Sequence, residues 1–124
     1  MTVHVDTSAL IDALSGPRRS LETLVGLADQ GHRLVLSSIV LYEWLRGPRT
    51  TEELAVQEDV FPRHRVCVFG AAQAARAASL YRTVRRPRGR EIAIAVAACA
   101  LEDGAALWTL NAADFADVPS LSLV

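Results

Sequence analysis

The sequence has 124 residues, the size of one ordinary domain spanning 1–124. Hydrophobic residues make up 51% and charged residues 22%, which excludes a disordered tail and a coiled coil. The net charge of −1 lacks the overall basic character of most nucleic-acid binders, so any such role rests on where the charges sit.

Val3 to Val5 is a short β-prone segment ending at Asp6, and Thr7 to Leu14 reads as a helix closed by Ser15, Gly16 and Pro17. Ser20 is a suitable N-cap for a helix over residues 21–30, which Gly31 ends. Arg33 to Ser37 reads as a second strand. Ser38 is the expected cap of a helix through Leu45, stopped by Gly47 and Pro48. Thr51 to Val60 is another helix, and Arg65 to Phe69 a third strand. Ala71 to Val84 is helical, Pro87 to Gly89 a loop, and Glu91 to Glu102 a helix ended by Gly104. Ala105 to Leu110 is a fourth strand, with Leu121 to Val124 a candidate fifth.

Strands that alternate with helices predict an α/β fold with a mostly parallel sheet of four to five strands, covered on both faces. In such sheets ligands bind beyond the carboxyl ends of the strands. Asp6, Ser37, Ser38, Phe69, Gly70, Leu110 and Asn111 therefore mark the region to inspect.

Two cysteines, Cys67 and Cys99, lie in apolar runs without zinc-motif spacing, and read as buried reduced thiols. His4, His32 and His64 have no partner at ligand spacing and read as structural or surface residues. Asp6 interrupts the N-terminal apolar stretch, so no signal peptide is visible. The longest apolar run, Ile92 to Leu101, is half the ~20 residues of a membrane span. A soluble cytoplasmic protein with no membrane association is expected.

Carboxylates occupy telling places. Asp6 follows the first strand directly, where it serves either as a helix cap or as a site residue. Glu43 lies in a helix apolar on nearly every side, and a buried carboxylate needs a cation. Arg46 at i+3 is one candidate and a metal ion the other. Thr109, Asn111 and Asp114 follow a strand, either as a turn or as oxygen donors facing the crevice. Converging carboxylates repel one another, and Mg²⁺ or Mn²⁺ relieves the repulsion. Such an ion orients and acidifies a water and neutralises a phosphate, the chemistry of a phosphodiesterase.

All 13 basic residues are Arg, and five of them, Arg82, Arg85, Arg86, Arg88 and Arg90, fall within nine positions. That cluster either holds phosphates or forms a solvated face. Trp44 and Tyr42 beside Glu43 are candidates for base stacking or for core packing, and Trp108 for core. Asp12 reads as solvated or as facing the edge of the site.

Three stretches carry a family resemblance. VDTSALIDAL resembles the opening of PIN domains, with Asp6 as the first acidic residue and Thr7 and Ser8 beside it. SSIVLYEWLRG resembles the second motif, with Glu43 followed by Arg46 and Gly47. RGREIAIAVAACALEDGAALWTLNAADF resembles the third and fourth motifs combined, and the likeness spans nearly the whole chain. It is to the VapC group, toxin halves of bacterial toxin–antitoxin pairs. The resemblance implies a PIN-like three-layer α/β/α sandwich and a metal-dependent endoribonuclease. It implies metal or catalytic roles for Asp6, Glu43, position 93 and Asp114, support from Thr7, Ser8, Thr109 and Asn111, and Mg²⁺ or Mn²⁺ as cofactor. RNA phosphates would meet Arg46, Arg82, Arg85, Arg86, Arg88 and Arg90. A VapB-like antitoxin, an RNA substrate, promoter DNA reached through the antitoxin, and a homodimer are the implied partners.

One departure stands out. The third acidic residue of the family falls on Ala93. An Asp in that first helical turn would suit the helix dipole. The position reads as a carboxylate removed, by engineering or by natural loss. Glu91 is two residues away, roughly 200° around a helix, and points elsewhere. The chain is thus expected to be an inactive or impaired nuclease, or alternatively a non-catalytic module that sequesters antitoxin or RNA. Haloacid-dehalogenase-like chemistry wants a second Asp where Ser8 stands, a receiver domain wants a late Lys, and no glycine-rich nucleotide loop is present.

Overall fold

The computed structural model describes residues 1–124. Its elements run β1 (Thr2–Val5), α1 (Thr7–Leu14), α2 (Leu21–Asp29), β2 (Arg33–Val35), α3 (Ser38–Arg46), α4 (Thr51–Val60), α5 (Ala71–Thr83), α6 (Glu91–Glu102) and β3 (Ala106–Trp108). Short 3-10 turns lie at Arg63–Arg65 and Ala112–Asp114.

The sheet is parallel, in the order β2-β1-β3. Val3 pairs with Leu34 on one side and Ala106 on the other, and Val5 pairs with Trp108. Alternate residues of a strand face opposite sides of a sheet. Val3 and Val5 on one side and His4 on the other are all buried, so helices cover both faces. The chain goes from β1 to β2 and then crosses to β3 on the far side. A crevice therefore opens between the carboxyl ends of β1 and β3.

The sheet has three strands, not four to five. The expected third strand loses its start to Pro62 and the 3-10 turn, and only Cys67 still pairs, with Ser37. Beyond it the Phe69 amide donates to Ser38 Oγ at 2.9 Å instead of joining a ladder. The expected fifth strand is likewise one bridge, Leu123 to Leu107. Both outer segments run parallel to the sheet, in the places an extended strand would occupy.

The helices form for legible reasons. α4 begins with a full capping box between Thr50 and Glu53. α6 is the central helix, with Ile94 to Ala100 all buried, and it packs on α5, α3 and β3. Its alanines permit this close approach, and Gly104 ends it with a positive φ of 61°. Two caps differ from expectation. Ser37, not Ser38, caps α3 by accepting from the Val40 amide, because Ser38 holds Phe69. Ser20 makes no cap bond, since its hydroxyl donates to Asp12 Oδ2 at 2.6 Å. Asp12 is thereby tied to the turn before α2 rather than left to solvent or to the crevice.

α3 is not buried all round. Val40 and Trp44 enter the core, while Tyr42 and Leu45 are exposed on its outer side. Trp44 is completely buried under the Arg49 guanidinium, 4.2 Å from the ring, and Trp108 is core. No helix is long and apolar enough to cross a membrane.

Candidate active site

Asp6 is the first residue after β1, anchored when its amide donates to the Trp108 carbonyl. It occupies the N-cap position of α1, yet its side chain makes no cap hydrogen bond. The carboxylate turns instead toward the end of β3. Thr109 Oγ1 donates to Asp6 Oδ2 at 2.7 Å, and Ser8 Oγ donates to the same oxygen at 3.2 Å. Ser8 Oγ also accepts from the Leu110 amide, and Thr109 Oγ1 from the Asn111 amide. Thr109 and Ser8 thus lock the loop after β3 to the start of α1 through one carboxylate oxygen.

Asp6 is buried, and that burial raises its pKa above the ordinary aspartate value. The hydrogen bonds from Thr109 and Ser8 pull the other way, while the nearby charge of Glu43 adds to the rise. A buried carboxylate facing a second one, with no cation of its own, is poised to take a metal ion.

Glu43 reaches the same place from α3. Thr7 Oγ1 donates to its Oε1 at 2.6 Å, and Arg46 Nη2 donates to its Oε2 at 3.3 Å. Both partners weighed for Glu43 are thus compatible, because the ion pair with Arg46 lies on the solvent side while Glu43 still lines the crevice.

One pocket of ≈ 380 Å³ collects Asp6, Thr7, Ser8, Glu43, Ala93, Asn111 and Asp114. Residues that sequence reasoning had placed on four separate segments meet here. Asp114 is exposed on the rim, on the 3-10 turn after β3. Ala93 is partly buried in the first turn of α6 and lines the pocket as a methyl group. Ile11, Ile92, Val96 and Phe115 form the apolar part of the wall and were not singled out from sequence. Helical spacing signals two of them, since Ile11 is four residues past Thr7 and Val96 three past Ala93. Glu91 lines a different feature, an apolar groove with Phe69, Ala77 and Tyr81.

The donor set of the pocket is all oxygen, which suits a hard divalent cation such as Mg²⁺ or Mn²⁺. Only one trio of His, Cys, Asp or Glu brings its donor atoms within 4.8 Å of one another, however, and it is His4, Cys67 and Asp103. Asp6, Glu43 and Asp114 face one pocket without converging that closely. Ala93 lines the same pocket. The trio also corrects the expectation that His4 and Cys67 lack ligating neighbours. Their proximity is created by the sheet and is invisible in sequence spacing.

The arginines divide. Arg90 directs its guanidinium to Asp117, at 2.6 and 3.1 Å, and to the carbonyls of Asp114 and Arg85, both at 2.7 Å. This contact holds the Asp117 carboxyl below the usual carboxylate range. Arg85 and Arg86 line a cleft with Ala113, Asp114 and Asp117, adjoining the pocket through Asp114. Arg88 is exposed, and Arg82 lines the apolar groove beside Glu91. Arg46 is more than half exposed and lies over Tyr42.

A family model described as PIN domain matches residues 3–121. The chain belongs to the PIN-domain family. Among solved structures, the VapBC2 complex from Rickettsia felis bound to a DNA fragment from its promoter superposes with a TM-score of 0.73 at 19% identity, covering 100% of this chain and 98% of that one. VapBC-1 from nontypeable Haemophilus influenzae gives 0.72 at 18%, covering 100% and 97%. DNA-bound VapBC from Salmonella typhimurium gives 0.68 at 22%, also covering 100% and 97%. At these identities the likeness establishes the fold. No curated protein matches the sequence.

Proposed function

We propose that this PIN domain is the toxin half of a toxin–antitoxin pair, a divalent-metal-dependent endoribonuclease disarmed or impaired at residue 93. The observation that carries the reading is the pocket between the ends of β1 and β3. It is lined by Asp6, Glu43 and Asp114 together with Ala93, where the family resemblance leads us to expect a carboxylate.

In this reading Asp6 and Glu43 hold Mg²⁺ or Mn²⁺, with Asp114 on the open side. The bound ion supplies positive charge against the scissile phosphate and lowers the pKa of the attacking water. Thr109 and Ser8 fix the Asp6 carboxylate, and Thr7 fixes that of Glu43. Such fixed ligands reduce the reorganisation needed to reach the reactive geometry. Asn111 lines the same wall. Arg85, Arg86 and Arg88, with Arg46 and Arg82, supply positive charge for an RNA backbone, while the Arg90 guanidinium is engaged by Asp117.

A VapB-like antitoxin is the proposed partner, with promoter DNA contacted through it, as the DNA-bound VapBC complexes of similar fold suggest. A homodimer working in the cytoplasm completes the proposal. Ala93 favours a second reading, in which this chain binds antitoxin or RNA without cutting. Both are tested by incubating this chain and Ala93→Asp with total RNA and Mn²⁺. Cleavage gained in Ala93→Asp supports a disarmed nuclease. Antitoxin or RNA binding with no cleavage by either protein supports the binding module.

A further inference from the structure

We propose that His4, Cys67 and Asp103 form a second metal site, for a zinc-type ion, separate from the acidic pocket. Three elements supply it. His4 sits in the middle of β1, Cys67 on the segment that bridges to Ser37 beyond β2, and Asp103 at the end of α6. Their donor atoms all lie within 4.8 Å of one another. A tetrahedral ion with bonds of roughly 2.0–2.3 Å spaces its ligand atoms about 3.3–3.8 Å apart. Side-chain adjustments well short of a backbone shift therefore close the site.

The chemistry selects the ion. Imidazole, thiolate and carboxylate together prefer Zn²⁺ over the hard ions that suit the all-oxygen pocket. Binding places the ion where a proton now links His4 Nε2 and Asp103 Oδ2, 2.9 Å apart. The single proton of the imidazole moves from Nε2 to Nδ1, and the Cys67 thiol releases its proton to solvent. Two anionic ligands then balance the 2+ charge, which a site bordering the core requires.

Burial holds the ligands in place. His4 is only 1% exposed and its Nε2 lies 2.9 Å from Asp103 Oδ2, so the imidazole is fixed with its ligating nitrogen toward the carboxylate. Cys67 and Asp103 are both partly exposed and give an ion its entry path, with the fourth position open to water. The site lies ten residues along α6 from Ala93, about 15 Å. It therefore stands whether or not the nuclease reading holds. Its effect would be to fasten the end of α6 to the centre of the sheet.

Co²⁺ titration of the full reduced chain tests this, because cobalt–thiolate absorption in the near ultraviolet arises only if a cysteine ligates. The expected result is a single Co²⁺ per chain with that absorption, displaced by Zn²⁺ and retained in Asp6→Asn. Cys67→Ser should lose the absorption. Asp103→Asn, which keeps the side chain's size, should weaken Co²⁺ binding at least about tenfold. No thiolate absorption in the parent chain, its persistence in Cys67→Ser, or unchanged affinity in Asp103→Asn would each overturn the proposal.

Discussion

Thr109 Oγ1 donates a 2.7 Å hydrogen bond to Asp6 Oδ2 across a sequence separation of 103 residues. The pairing of Val5 with Trp108 makes this possible, since each residue is the first beyond its strand. Sheet register thereby sets the orientation of the site's most buried carboxylate.

Thr109→Val keeps the shape and removes both the donor to Asp6 and the acceptor of the Asn111 amide. At neutral pH it should cost about 1.5–3 kcal/mol, the range for a hydrogen bond to a charged group. Urea unfolding measures this loss. The difference should shrink in acid, where Asp6 is protonated and the bond matters less.

Asp6 itself should be a stability liability in the absence of metal. Its folded pKa is raised by burial, so its contribution favours folding below the unfolded value and is lost as pH rises through the folded one. Asp6→Asn should therefore raise the metal-free melting temperature at pH 7. The advantage should fade as the pH falls through that window. A melting temperature that drops in Asp6→Asn at neutral pH would show that the carboxylate is already compensated.

Much of this was legible beforehand, and what was missed has physical causes. α4 and α6 match their expected bounds, and the local signals are the Thr50–Glu53 capping box that starts α4, which was not singled out beforehand, and the Gly104 that ends α6. Asp6, Glu43 and Ala93 were legible from motif order, and the fold brings them to one pocket. The outer strands were overcalled because apolar β-prone residues at 65–69 and 121–124 say nothing about how many ladder bonds form. The proximity of His4, Cys67 and Asp103 depends on sheet order and on the path of α6, which no local pattern encodes. Nor did the arginine run reveal that Arg90 is bound to Asp117, 27 residues on.

Asp117→Ala should release that clamp. The Arg85 amide donates to Asp117 Oδ2 at 3.3 Å, so its hydrogen exchange should accelerate together with that of the turn before α6. Exchange across β1 and β3 should be unchanged. Uniform acceleration over the whole chain would instead mean that the pair supports the global fold.

Arg86→Ala, made with Ala93 retained, should weaken binding to single-stranded RNA. It should lower the slope of log affinity against log salt by about 0.7, one released counterion on a single strand. Fluorescence anisotropy over a salt series reads both quantities. An unchanged slope would remove Arg86 from the RNA path.

The central claim is that the pocket is an oxygen-donor metal site lacking the ligand at residue 93, and Mn²⁺ titration by calorimetry tests it most directly. The parent chain, Ala93→Asp, and Ala93→Asp combined with Asp6→Asn would be compared in a Cys67→Ser background, which silences the second site. Ala93→Asp should bind Mn²⁺ at least about tenfold more tightly than the parent, and adding Asp6→Asn should abolish the gain. Equal affinity of the parent and Ala93→Asp would contradict the claim.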